Sequence, residues 1–312
     1  MLNEFYKTDY PMGINRLEDL FDAVQGRPKR KLIAAYANDE HTIVAISKAI
    51  DLGLVEGILV GDEKVIQGVC RHENIDPAKF TIVHQPNEQL AATDSITMIN
   101  NGEGDIIMKG LVSTDKFMRA ILNKENGLLP QGAVLSHVTA LQNPHYHKLI
   151  IASDVAIIPE PDLKQKVQMI NYMVQTAKAL GIDNPKVAAI APTELVLPGL
   201  QSCSEAALLS KMNERGQIKG CVVDGPLALD AAIDEESAKI KGIKSEVAGK
   251  ADCLLFPDLN AGNVFYKTNT KLAGAESAAS LVGAKVPAVL VSRGDSIETK
   301  LYSIALAAML AK

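Results

Sequence analysis

Two polar junctions in this chain put residues capable of chemistry where an apolar strand gives way to a helix. The first is Val289-Leu-Val-Ser292-Arg293-Gly294-Asp295-Ser296-Ile297-Glu298. An arginine at the end of a buried strand, beside a helix N-terminus, is placed to hold an anion, because guanidinium charge and free backbone N–H groups both favour one. A structural ion pair is the other reading of Arg293. Asp295 and Glu298 have the spacing of a capping box for the last helix, and Ser292 is placed either to bind ligand or to cap locally. The second junction is Met108-Lys109-Gly110-Leu-Val-Ser113-Thr114-Asp115. A lysine, a turn-permitting glycine and two hydroxyls before a helix suit a phosphate group. Helix capping by Ser113 or Thr114 accounts for the hydroxyls as well. Arg119, five residues past Thr114, either reaches a ligand or covers apolar surface with its stem.

Other polar clusters are Ser136-His137, Asp154, Asp224-Gly225-Pro226 and the stretch Pro257 to Lys267. The last follows a strand and gathers Asn260, Gly262, Asn263 and Lys267. Asp224-Gly225-Pro226 reads as a turn closing a strand over 218–223.

Several familiar chemistries lack their residues. There is no GxxxxGK[ST] loop, since Ala251 follows Val247-Ala-Gly-Lys250 where a hydroxyl is needed. The turn after the first strand holds no glycine, so a dinucleotide fingerprint is missing, and neither HExxH nor GxSxG occurs. The six histidines form no evident metal set, and His145 and His147 flank Tyr146 in a proline-containing turn that reads as solvated surface. No metal site is predicted. Cys70, Cys203, Cys221 and Cys253 show no CxxC spacing and read as buried, reduced thiols.

The elements that must position these junctions alternate along the chain. Strand-length apolar runs are predicted at 31–37, 57–61, 80–84, 105–108, 148–153, 186–191, 218–223, 253–256 and 287–291. Helical spacing falls between them, as in 40–52, where Gly53 is a natural stop, and in 88–101, 114–123, 163–180 and 205–212. Such alternation predicts a mostly parallel sheet covered on both faces by helices. In such sheets ligands bind beyond the carboxyl ends of strands, which is where both junctions lie.

With 312 residues, 47% of them hydrophobic and 22% charged, the chain has the length for two domains and no tendency to wholesale disorder. A formal net charge of -5 argues against a nucleic-acid surface. No run approaches the ~20 apolar residues that span a bilayer, and Met1-Leu2-Asn3-Glu4 lacks the basic and apolar regions of a signal peptide. A cytoplasmic protein with neither a membrane nor a nucleic-acid partner is expected.

Six pieces in order carry a resemblance: MKGLVSTDKFMRAIL, LSHVTAL, NPKVAAIAPTE, GQIKGCVVDGPLALDAAI, ADCLLFPDLNAGNVFYK and VSRGDSIETKLYSIALA, running from Met108 nearly to the C-terminus. Together they resemble the phosphate acetyltransferase and phosphate butyryltransferase family, with LSHV and DGPLALDAAI closer to the butyryl branch. The resemblance implies two three-layer α/β/α domains facing a central cleft, like those of isocitrate and isopropylmalate dehydrogenases. Residues 1–140 and 294–312 would form the first and 141–293 the second. It implies a homodimer or higher homo-oligomer. It also implies reversible transfer of a short acyl group, butyryl or branched-chain with acetyl as the alternative, between coenzyme A and phosphate. Coenzyme A is then a substrate and no cofactor is used. The family's serine–arginine pair falls on Ser292 and Arg293, and its helix arginine on Arg119. Its Asn-Ala-Gly-Asn-x-x-Tyr-Lys stretch falls on 260–267. Lys109, Ser113, Thr114, Ser136, His137, Asp224, Gly262, Asn263, Lys267 and Glu298 are expected around the substrates. The family's aspartate base, seven residues after the serine, is replaced by Thr299, so either Asp295 or Glu298 takes that role or the thiol is activated otherwise. A further family arginine has no counterpart, and Lys109 is the candidate to carry its charge. A metal- and NAD-dependent dehydrogenase of the same layout and a non-catalytic coenzyme A-binding protein are the other classes this pattern admits.

Overall fold

The structure, a computed structural model, describes residues 13–291 and 295–312. After α1 (Asp19–Gln25) come β1 (Arg30–Ala35), α2 (Glu40–Asp51), β2 (Val55–Gly61), α3 (Glu63–His72), β3 (Phe80–His84), α4 (Glu88–Asn100), β4 (Ile106–Lys109) and α5 (Thr114–Ile121). Two strands then follow in succession, β5 (Ser136–Gln142) and β6 (Ile150–Ser153). Alternation resumes with α6 (Leu163–Ala179), β7 (Lys186–Ile190), α7 (Gln201–Glu214), β8 (Val222–Leu227), α8 (Leu229–Ile233), α9 (Glu235–Ile240), β9 (Cys253–Leu255) and α10 (Leu259–Leu272). The chain closes with β10 (Glu276–Val282), β11 (Ala288–Val289) and α11 (Ile297–Leu310). Short polar side chains on extended backbone start the helices by accepting free N–H groups: Asp39, Asp62, Asn87, Ser113, Asp162, Asp258 and Ser296.

The eleven strands form one sheet in the order β3-β2-β1-β4-β11-β10-β5-β6-β9-β7-β8. The fold is mixed α/β, and the sheet is mostly parallel. One parallel set is β3-β2-β1-β4-β11 and the other is β6-β9-β7-β8. Three antiparallel pairings join them, β11–β10, β10–β5 and β5–β6, so the two sets run in opposite directions. One apolar core runs along a face of both sets, from Leu32, Met108 and Val289 to Ile151, Val187 and Leu255. It is covered by residues such as Ile43, Met169, Leu209 and Ile304 of α2, α6, α7 and α11. On the opposite face α4 and α5 pack on Ile33, Ile107 and Leu281, while α8 and α10 pack on Leu141, Ala188 and Leu254.

Two strands depart from the sequence reading by being present at all. β5 and β10 are rich in Ser, Thr, His and Ala, so no apolar run marks them. Their polar side chains other than Glu276 and Gln142 are nonetheless buried, because both strands lie at the centre of the sheet. A third departure is Asp224-Gly225-Pro226, which lies inside β8 and makes no closing turn. β8 is an edge strand, and the register with β7 shifts between Ala188 and Ile190. An edge strand tolerates the ladder donor that proline cannot supply.

Candidate active site

A cavity of about 150 Å³ opens where the two oppositely directed sets meet. His137 at the start of β5 lines it, with Val155 and Ala156 just beyond β6 and Asn263, Tyr266 and Lys267 on α10. Ala279 of β10, Leu290 and Val291 just past β11, and Asp295 and Thr299 at the start of α11 complete the wall. A neighbouring cavity of about 250 Å³ shares Tyr266, Lys267, Asp295 and Thr299, and adds Lys271, Glu276 and Ser277.

Asp154 ties the floor together. It is 2% exposed, yet its carboxylate accepts four hydrogen bonds. Ser136 Oγ (2.8 Å) and the His137 N–H (3.0 Å) donate to Oδ2, and the Ala156 and Ile157 N–H groups (2.8 Å each) donate to Oδ1. Ser136 is therefore a buried support for Asp154. α10 lies directly against this turn. A Cβ on Gly262 would come within 2.2 Å of the Asp154 carbonyl oxygen, so only glycine permits the approach. Asn263 Nδ2 donates to the Val155 carbonyl at 3.0 Å, which fixes the helix, and Lys267 projects one turn on, its ammonium 5.4 Å from the Tyr266 ring centroid.

At the start of α11 the expected capping box is absent. Ser296 is the cap: its hydroxyl accepts the Thr299 N–H at 3.0 Å. A serine hydroxyl on extended backbone reaches the third amide of the helix directly, which leaves Asp295 one residue outside the helix and Glu298 exposed in its first turn. The Asp295 carbonyl instead accepts the Lys300 ammonium at 2.7 Å. Ser292 and Arg293 lie outside the described residues.

The second junction sits at the end of β4, which is paired with β11 through Met108 and Val289. Lys109 is buried and donates to the Gly110 and Val112 carbonyls at 3.2 and 2.9 Å. Gly110 is needed here because a Cβ would lie 2.6 Å from the Tyr36 carbonyl oxygen. Ser113 caps α5 by accepting the Lys116 N–H, while its own N–H donates to Glu88. Thr114 is exposed as the first helical residue. Arg119 pairs with Asp115 at 3.1 Å, an exposed i,i+4 contact, and lines a separate cavity of about 180 Å³ with Asn123 and Asn126. The lining of the central cavity thus holds His137, Asn263, Lys267 and Asp295 of the expected residues, with Gly262 packed behind. It does not include Lys109, Ser113, Thr114, Arg119, Glu298 or Asp224. Asp224, on the edge strand β8, accepts the Gly225 N–H and the hydroxyl of Ser210 on α7.

Tyr266, Thr299 and Asp154 carry more of the site than their sequence positions suggested. The only signal was their place within, or close to, polar segments. Burial pushes the His137 imidazole below the usual histidine range, with Asp154 pulling the other way. Burial pushes the Tyr266 phenol up against the opposing effect of its Ser277 contact at 3.2 Å. It pushes the Lys300 ammonium down, with Asp295 and Asp39 opposing. Among the described residues the one cluster with metal-ligand spacing is Glu40, His72 and Glu73, which lines neither of these cavities. The central arrangement offers one ammonium, Lys267, for an anionic ligand, apolar wall from Val155, Ala156, Leu290 and Val291, a carboxylate from Asp295 and the His137 imidazole.

The family model "Phosphate acetyl/butaryl transferase" matches residues 87–308. The chain is 44% identical over 298 residues to a phosphate butyryltransferase of Clostridium acetobutylicum, covering 96% of this chain and 99% of that one. It is 42% identical over 295 residues to a phosphate acetyltransferase of Thermotoga maritima, covering 95% and 99% respectively. Among solved structures it is similar to a branched-chain phosphotransacylase from Enterococcus faecalis, with a TM-score of 0.78, 26% identity, and coverage of 90% of this chain and 98% of that one. With both cavities inside the matched segment, the chain belongs to the phosphate acetyl/butyryl transferase family.

Proposed function

We propose that this protein is an acyltransferase that moves a short acyl group reversibly between coenzyme A and inorganic phosphate, giving acyl phosphate and free coenzyme A. The observation that carries the reading is full-length similarity to two phosphotransacylases together with a cavity that combines cationic and apolar walls at the matched residues. A butyryl or branched-chain acyl group is the favoured cargo, supported by the names of the Clostridium and Enterococcus relatives. Acetyl is the second reading, supported by the Thermotoga relative at nearly equal identity.

The acyl-phosphate carbonyl is already activated, because phosphate is a good leaving group, so the reaction needs no metal or redox cofactor. The protein must bind two anionic substrates, ionise a thiol and stabilise an oxyanion. Lys267, with Arg293 and Ser292 at the adjoining segment, would neutralise phosphate and the tetrahedral intermediate. Asn263 and Thr299 would orient the substrates, and Asp295 would compete for the proton. Lys109, Ser113, Thr114 and Arg119 would hold substrate phosphates on the β4 side, with Asp224 and Glu298 as outlying binding positions. On this reading the chain forms two lobes, 1–140 with 294–312 and 141–293, facing a cleft. The packing of α11 on α1 and α2 supports the return of the C-terminus to the first lobe. A homodimer is part of the proposal, supported by the exposed apolar Leu195 and Val196 (65% and 60%). So is a cytoplasmic location, where coenzyme A esters are used. No helix among the described residues is long and apolar enough to cross a membrane.

Thiol release from acetyl-, propionyl-, butyryl- and isobutyryl-coenzyme A tests the reading. Release is expected to depend on added phosphate, to be unaffected by EDTA, and to be fastest with a four-carbon ester. Absence of phosphate-dependent release from every ester would refute it.

A further inference from the structure

Four titratable side chains line the central cavity, and three are already engaged. Tyr266 contacts Ser277, the Lys267 ammonium lies by the Tyr266 ring, and Asp295 has partners of its own. His137 differs. It is 5% exposed and anchored through its main-chain N–H to Asp154. Its ring nitrogens have no hydrogen bond among the described residues, and Nδ1 is closed off from water. A buried polar atom without a partner costs free energy and calls for a physical reason. A ring left unpaired beside a cavity has its proton-transfer capacity in reserve for what enters.

We propose that His137 is a catalytic residue that takes the coenzyme A thiol proton as sulfur attacks the acyl-phosphate carbonyl. The inference rests on the acyl-transfer reading. The S–H bond breaks and an N–H bond forms on the imidazole. The sulfur electron pair forms the C–S bond, and the carbonyl pair moves to oxygen. That pair returns as the C–O bond to phosphate breaks, and phosphate leaves with the bonding electrons. The imidazolium then releases its proton to the departing phosphate or to water. In reverse, it protonates the leaving thiolate. Burial keeps the ring neutral near pH 7, the state a base requires. The charged or titratable groups around it are Asp154, Tyr266, Lys267 and Asp295.

His137→Gln tests this. At pH 7 the variant is expected to lose about 10²–10⁴-fold in kcat for acyl-coenzyme A formation, the usual contribution of a general base, with KM for acyl phosphate little changed. Between pH 6.5 and 8.5 a free thiol of pKa about 8.5 goes from about 1% to about half ionised. The variant is therefore expected to recover about 50-fold over that range, while the wild type does not. Asp295→Asn and Lys267→Met are expected to lose rate without this recovery. A variant within about threefold of wild type, a loss that does not recover with pH, or recovery in Asp295→Asn instead would overturn the assignment. If the variant does not fold, the ¹³C–¹H signal of the His137 ring in the wild type decides. Adding coenzyme A is expected to shift it toward imidazolium, and no response would overturn the assignment. Failure of the wild type to release thiol in the presence of phosphate would instead count against the acyl-transfer reading.

Discussion

Asp154 shows how one residue sets the geometry of a site without entering it. Each carboxylate oxygen receives two donors, and the four donors come from the first residues of β5 and from the turn after β6. Hydrogen bonds to a charged group contribute about 1.5–3 kcal/mol each, and a buried donor left unpaired loses its full desolvation energy. Asp154→Asn substitutes a donor for one acceptor, so two of the four contacts turn repulsive or vanish. Urea denaturation is expected to show a loss of about 3 kcal/mol or more, from two such contacts. A loss below about 1 kcal/mol would mean the turn holds its shape by other means.

At the scale of the element, α10 is the helix that the site depends on. Its first turns press on the backbone of the β6 turn at Gly262, and Asn263 and Lys267 reach the cavity only because of that approach. Gly262→Ala is expected to push the helix outward, with an overpacking cost of about 1–3 kcal/mol and a clear fall in kcat. Gly68, in the middle of α3 with nothing within 4 Å of the place a Cβ would occupy, is the contrasting case. Gly68→Ala is expected to stabilise the protein by about 0.5–1 kcal/mol through the unfolded chain and to leave kcat unchanged. Thermal melts and steady-state rates on the pair separate crowding from helix propensity.

Across the whole molecule, the continuous sheet buries every cysteine. Cys70, Cys203, Cys221 and Cys253 are all free and buried. Burial pushes the Cys70 thiol up, the Cys221 thiol to about 11 and the Cys253 thiol well above the usual range. The thiolate is the reactive form, so these groups stay largely protonated near pH 8. A disulfide reagent is expected to titrate far fewer than four thiols in the native protein within minutes, and all four in denaturant. Rapid reaction of several thiols in the native state would show that the sheet opens readily.

The alternating apolar runs determined the element types, the mostly parallel sheet and most helix starts. Local rules carry those features: period, capping side chains and turn glycines act within a few residues. The polar junctions were legible for the same reason, and Asn263, Lys267, His137 and Asp295 do line one cavity. β5 and β10 were not legible, because small and polar residues in a central strand are buried by neighbours far off in sequence. The cap at Ser296 was a local contest between adjacent short side chains, settled by backbone angle. The tertiary structure alone decided that Ser136 supports Asp154 and leaves the His137 ring unpaired, and that Lys109 donates to carbonyls of its own loop. Those outcomes depend on which groups meet across the reversal in strand direction, and no spacing along the chain encodes that meeting.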